Sequence, residues 1–347
     1  MVKRCSLFYL LSLLIVISVT IFAEVFQNKE KIVIHPVRIF DEYNFSSIAK
    51  VVKYKNEYYI LESKNHRILV FNDLMKFERQ ISHIGQGKGE LYYPIDFVIR
   101  GDYIYVLDNM MKRVQIFSSN GKYINGFSSD YKSCGIAVNQ KGEIYLGQPQ
   151  RGKLISVYSQ NGKFLRSFGN LKKLSNFYGT RLRSLDKKYK IAINRVNICI
   201  DNKDNLYLSF LGAPFFQKYN KKGELLFEKR IQSPIAKKII KEFRIKRKSP
   251  VRRGIDNVPT PLITTGIAVD SKSDYLVISF QWHRGWIYIA NTDGEKISLL
   301  EIANKKILFE NIYLSKDYTL FCPRLSVVKY NEVYAINLKK ILMKGGD

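Results

Sequence analysis

The sequence predicts an all-β chain, a six-bladed β-propeller of four-stranded antiparallel blades whose last blade is closed by an N-terminal strand. Three observations predict it. A unit of common grammar recurs six times between Ile48 and Leu338. Tyr59, Tyr105 and Tyr145 return at the same point of successive units, 40 to 46 residues apart, which is a propeller-blade period. The 23 Tyr and 21 Phe are residues that fit pleated, half-buried surfaces.

The units begin at Ile48, Pro94, Ser133, Arg195, Ile263 and Ile307. Each opens with an apolar strand (FVI, IAV, ICI) and a polar turn (IRGD, NQKG, DNKD). An alternating second strand follows (YYILE, YIYVLD, EIYLG, NLYLS), then a third that ends on an aromatic (VQIF, ISVY, FQKY). Asn-Gly or a related pair then turns the chain into a fourth strand, as in SNGKYINGF and QNGKFLRSF. Such pairs supply the positive φ that a tight hairpin turn needs. The unit beginning at Ile307 shows three strands, while residues 32–40 (IVIHPVRIF) read as a strand with no unit of its own. This strand is expected to complete the sixth blade and remove the exposed sheet edges.

Residues 32–340 therefore form the propeller, interrupted by insertions at 170–190 and 232–262. In the second insertion, Ile235, Ile239, Ile240 and Phe243 stand at helical spacing among Lys and Arg, and Pro250, Pro259 and Pro261 then enforce extended chain. A basic amphipathic helix is expected, either clamped by its apolar face on blades four and five or acting as a lid. Its stretch 237–253 is also a candidate contact for an anionic membrane surface. Ahead of the propeller, Lys3 and Arg4 precede an apolar run from Leu7 to Ala23. Residues 1–23 read as a signal peptide or a retained anchor, 24–31 as a linker and 341–347 as a tail. An exported protein is expected. Cys5 precedes the apolar run, so it is not placed as a lipoprotein cysteine would be.

The second unit resembles the NHL-repeat family nearly throughout. It has IGQGKGELYYP from Ile84, YVLD ending at Asp108 and RVQIF from Arg113, and the first unit keeps Glu62, Arg67 and Phe71 in the matching slots. The resemblance extends to exported bacterial six-bladed propellers. It implies that the Asp108–Arg113 pair, echoed by Glu62 and Arg67, stitches turns together. Units three to five keep the strands but lose the pair.

The formal charge of +27 favours anionic partners, although export would remove most nucleic acid from reach, so nucleic-acid binding is disfavoured. Cys134, Cys199 and Cys322 are odd in number and lie in apolar runs, so they read as buried small hydrophobes, not as a disulfide framework. GQGKG at Gly85–Gly89 lacks P-loop spacing and leads into a strand. The chain has no HExxH, no CxxC and no nucleophile elbow, and His66 and His283 fall at one repeat position in blades that are not neighbours. Propeller lyases related to the family use metal-bound histidines, and lactonases of similar shape use clustered carboxylates. The loops here carry Lys64, Arg67, Lys112, Arg113, Arg151, Lys153 and Arg284 instead, and cationic loops repel a divalent ion. No catalytic residue, metal or cofactor is therefore expected.

The candidate ligand-binding residues are Arg67, Arg113, Arg151, Lys153, Trp282, His283, Arg284 and Trp286. Arginine forks capture carboxylate, phosphate or sulfate, and the paired Trp of QWHRGW suit sugars or protein partners. The leading expectation is a monomeric, non-enzymatic binding module that presents one face to a protein, peptide or glycan, its loops varied on a rigid ring. The rival is a propeller lyase or hydrolase with a metal on the central axis.

Overall fold

The computed structural model describes residues 32–34, 37–40, 43–173, 187–231, 233–246, 251–253, 259–261, 263–280, 286–302, 308–309, 311–325 and 333–342. The chain divides into two units, Met1–Val33 and Ile34–Asp347. The first unit is described only at Ile32 and Val33, so the expected signal or anchor lies outside the described residues. Among the described residues no helix is long and apolar enough to cross a membrane.

The second unit is a six-bladed propeller. Blades one to five are antiparallel meanders in the order first, second, third and fourth strand. Blade two, for example, runs Pro94–Arg100, Tyr103–Asp108, Arg113–Ser118 and Tyr123–Ser128. Blade six closes with only part of the expected strand: segment 32–40 contains two strands, Ile32–Ile34 and Val37–Ile39, and the second alone completes this blade. Val37–Ile39 pairs antiparallel with Val333–Asn337, with Val37 opposite Ala335 and Ile39 opposite Val333. Val333–Asn337 pairs in turn with Thr319–Leu325, which carries Leu308–Phe309 and Tyr313–Leu314 on its inner side.

The apolar core is divided among the blade interfaces. One cluster joins Tyr59, Val70, Phe97 and Val106 of blades one and two, and the other five interfaces carry equivalent clusters. Radial sheets packed face to face explain the sequence grammar. The middle strands bury both faces, so Ile68–Phe71 and Ile104–Asp108 are wholly buried, while the fourth strands of blades one to four are largely open to solvent. Tyr59, Tyr105 and Tyr145 are fully buried, and Tyr207 of blade four holds the same place.

The second insertion contains the expected helix, Pro234–Lys246. Ser233 Oγ accepts a hydrogen bond from Ile235 N at 3.2 Å and caps its start. Ala236, Ile239 and Ile240 join the cluster between blades four and five, while Lys237, Lys238 and Lys241 are exposed. In the first insertion, the helix Lys187–Ile193 is followed by Asn194, whose amide clips the insertion's two ends. Asn194 Oδ1 accepts from Lys172 N at 2.7 Å, and its Nδ2 donates to Lys172 O at 3.0 Å and Lys190 O at 2.8 Å.

Candidate binding surfaces

A propeller has two faces. One, the joining face, carries the loops between second and third strands and the connections between blades. The other, the turn face, carries the first-to-second turns and the third-to-fourth hairpins.

Arg67 and Arg113 open third strands on the joining face, two strands out from the axis. Arg113 Nε donates to Asp108 Oδ2 at 2.8 Å, Nη1 to the carbonyls of Gln86 at 2.5 Å and Gly87 at 3.1 Å, and Nη2 to Glu90 O at 2.7 Å. Asp108 is 0% exposed and also accepts from Tyr92 N at 3.1 Å through both oxygens. Burial pushes the Asp108 carboxyl above its usual range, against the pull of Arg113. Arg67 Nε donates to the equally buried Glu62 at 2.7 Å and Nη1 to Gln80 Oε1 at 2.9 Å. In blade three the buried Gln148 fills the acid's slot, bonded to Tyr131 O, Ser133 Oγ and Tyr158 OH. The arginines are thus fastened to their own loops, and the fork geometry is spent on the protein.

Arg151 pairs with Asp130 Oδ2 at 3.1 Å and stands 4.1 Å from the centroid of Phe164, with Tyr131 at 6.0 Å. Lys153 Nζ donates to Asn170 Oδ1 at 2.8 Å. Trp286 opens the third strand of blade five opposite Phe280 and Glu301, half-buried against the cluster between blades four and five. Trp282, His283 and Arg284 lie outside the described residues.

Sequence reasoning missed a second stitch, on the turn face. Arg79 grips Glu57 with two hydrogen bonds, one to Oε1 and one to Oε2 at 2.9 Å, and Nη2 reaches Tyr59 OH at 3.2 Å and Ser119 O of the next blade at 2.9 Å. Blade three repeats it with Arg166, Glu143, Tyr145 and Lys221 O of blade four. The arginine bonds hold the Glu57 and Glu143 carboxyls below the usual glutamate range, against their partial burial. Burial and the adjacent carboxylate push the Tyr145 hydroxyl up to about 12, and Tyr59 higher still. The pattern Glu-x-Tyr on the second strand, with Arg on the fourth, is present in the sequence as E57, Y59, R79 and E143, Y145, R166.

The joining face carries an aromatic shelf between blades one and two. The His66 and Tyr92 rings stack at 5.4 Å and 7°, and His66 Nδ1 accepts from Tyr93 N at 2.7 Å. Tyr92 is 36% and Tyr93 45% exposed, and Ile84 and Met110 of the neighbouring loops are exposed as well. His66 and Tyr93 both have positive φ, 57° and 65°. For His66 the turn explains this, since Lys112 and Gly152 adopt the same conformation at the matching turn positions. For a bulky residue ahead of a proline, as Tyr93 is, it is strained.

The innermost strands supply a polar collar to the axis. Lys50, Asp96 and Asn197 pair with Leu61, Leu107 and Ser209, each the penultimate residue of its second strand, so they stand at one level. Lys50 Nζ is 2.7 Å from Asp96 Oδ1, and Asp96 Oδ2 accepts from Ile136 N of blade three at 3.2 Å. Asn311 of blade six donates to Ala49 O of blade one at 3.1 Å and Ile95 O of blade two at 3.5 Å. The Asn197 Nδ2 is buried with no hydrogen-bond partner among the described residues. Among the described residues no group of three or more His, Cys, Asp or Glu is placed to hold a metal ion. Cys134 and Cys199 are free, and burial pushes both thiols up, away from the reactive thiolate.

A family model described as a 6-bladed beta-propeller matches residues 38–207. The Drosophila melanogaster protein brain tumor is 27% identical over 128 residues, which are 35% of this chain and 12% of that protein. A Bacteroides fragilis protein described as exported superposes with a TM-score of 0.56 at 11% identity, covering 88% of this chain and 94% of that one. Virginiamycin B lyase of Staphylococcus aureus, crystallised with quinupristin in a catalytically inactive form, superposes at 0.52 with 13% identity over 88% and 99% of the two chains. Residue-level pairing, core and neighbours agree on one architecture: the chain is a six-bladed β-propeller of four-stranded antiparallel blades.

Proposed function

We propose that the chain is an exported, non-enzymatic binding propeller that presents its joining face to a protein, peptide or glycan, segment 1–23 being either removed or retained as an anchor. The observation that carries this reading is the His66–Tyr92–Tyr93 shelf. It is an aromatic surface in which the exposed Tyr92 stacks on the half-buried His66 and the exposed Tyr93 is tilted 60° to it. Stacking and a strained backbone set this surface, with the exposed Lys112 on the adjoining turn. Aromatic surfaces of this kind supply large contact area at little conformational cost, and they suit both sugar faces and protein hot spots. The name of the Bacteroides fragilis neighbour supports the exported setting.

The test is a panel of neutral and acidic oligosaccharides and acidic peptides, titrated calorimetrically against the wild type and a Tyr92→Ala/Tyr93→Ala variant. Binding by a panel member, lost at least tenfold in the variant with the melting temperature unchanged, supports the reading. Equal binding by both proteins refutes it. One stoichiometric metal in the purified protein, with ligand turnover, would overturn it in favour of a lyase or hydrolase.

A further inference from the structure

We propose that the axial lumen is a second ligand site, entered from the turn face and built for a small monocarboxylate with an apolar tail. The lumen is a cavity of about 250 Å³ lined by the innermost strands of all six blades. That is slightly below the roughly 300 Å³ at which ordinary ligand pockets begin, so the occupant is small. Its lining stops at Lys50, where the collar of paired polar groups crosses the axis. The wall above Lys50 is apolar, formed by residues such as Val52, Val98, Ile200, Val269 and Leu314. Val98, Ile200 and Val269 keep part of their surface open, and Val269 does so between a buried Ala268 and a buried Asp270. Water in such a space finds few polar partners, whereas a hydrocarbon chain finds dispersion contacts on every side.

The open end differs from the wall. Tyr54, Arg100, Asn202, Ser271 and Lys316 stand there, contributed by five different blades. Arg100 spends Nε and Nη2 on Val138 O, at 3.1 and 2.9 Å, which fixes its guanidinium at the rim of blade three. Its remaining donors have no partner among the described residues. Lys316 is exposed and likewise without a partner among them. The one carboxylate in the lining, Asp270, is buried and turned back on its own loop, where it accepts from Lys272, Asp274 and Tyr275 N. The rim thus offers two cations with free donors over an apolar shaft. This arrangement orders a carboxylate head at the mouth and its tail along the axis. The site lies on the face opposite the aromatic shelf and does not depend on it.

Sodium octanoate titrated into the full chain by calorimetry tests this, with octylamine and methyl octanoate as cationic and neutral probes of the same tail. The expected result is one octanoate per chain and a raised melting temperature, with both other probes at least tenfold weaker. Arg100→Gln should weaken octanoate about tenfold. Val98→Phe and Ile200→Phe each narrow the shaft from a different blade and should abolish binding in whichever variant keeps the wild-type circular dichroism and melting profile. Binding of several octanoates per chain, equal binding of the three probes, or octanoate affinity unchanged in Arg100→Gln would overturn the proposal. Loss of shelf binding in Tyr92→Ala/Tyr93→Ala leaves the octanoate result untouched, so the two readings fail separately.

Discussion

Replacing Arg113 with methionine removes the partner of a carboxylate that is 0% exposed. The loop carbonyls of Gln86 and Gly87 that Arg113 also serves lie in exposed residues and regain water, and Glu90 O keeps the Gln115 amide, so they add little to the cost. What remains is Asp108, held by Tyr92 N alone in a site that already pushes its carboxyl up. Breaking a buried pair from one side costs about 3–5 kcal/mol, a large part of the roughly 5–15 kcal/mol that stabilises a typical fold. Arg67→Met should cost less, because Glu62 keeps Ser46 N at 2.7 Å and Asn65 Nδ2 at 3.2 Å. The sign with pH follows from linkage. A buried acid with a raised native pKa loses stability as pH rises through that value, so the Arg113→Met penalty should shrink on acidification. Urea unfolding followed by circular dichroism at pH 5 and pH 8 measures both effects. A cost below about 1 kcal/mol, or one independent of pH, would refute the view that the pair's worth lies in neutralising a buried charge.

Glu57 and Glu143 have the opposite sign. Their arginine bonds lower the native pKa, so the stability they contribute is present above the ordinary glutamate value of about 4.3 and is lost as pH falls through the native one. Glu57→Gln/Glu143→Gln should therefore flatten the acid limb of a stability-against-pH curve while lowering stability at pH 7. Gly162→Ala should cost more than about 1 kcal/mol in the same urea assay, because the residue has φ +79° and an added Cβ would overlap Phe127. Ile239→Ala, which empties a fully buried place under the insertion helix, should cost about 2–4 kcal/mol and speed proteolytic cleavage within residues 232–262.

The propeller was legible in the sequence because its devices are local and repeated. Hairpin pairs such as Asn161-Gly162, the apolar run Ile104–Leu107 and the recurring tyrosines each follow from a few neighbouring residues, although the expected alternation of the second strands gave way to burial on both faces. Closure by Val37–Ile39 was legible from the count of strands in the last unit. The sites were harder to see, for a geometric reason. Arg67 and Arg113 look available in the sequence because their loops lie on a face, yet the carbonyls that occupy Arg113 come from residues 86–90, a connection whose fold no periodicity encodes. The collar and the lumen unite Lys50, Asp96, Asn197 and Asn311, single positions of strands far apart in the chain, and the register that levels them depends on bulges at the starts of blades one and two. The aromatic shelf had a weak signal, the adjacent Tyr92 and Tyr93 before Pro94, which the repeat pattern absorbed as an inter-blade connection.

The clasp between Val37–Ile39 and Val333–Asn337 brings the two extremities of the propeller segment into one sheet. In topological terms the backbone approaches a closed circle, interrupted at one of six comparable seams. The final blade cannot be finished until its earliest and latest residues meet, so a ribosome must release nearly the whole segment before the ring seals. Until then the outer edge of Val333–Asn337 is an open template for any other extended chain. A second molecule's N-terminal strand has the same sequence as the missing one, which makes exchange between nascent copies the characteristic hazard of this architecture.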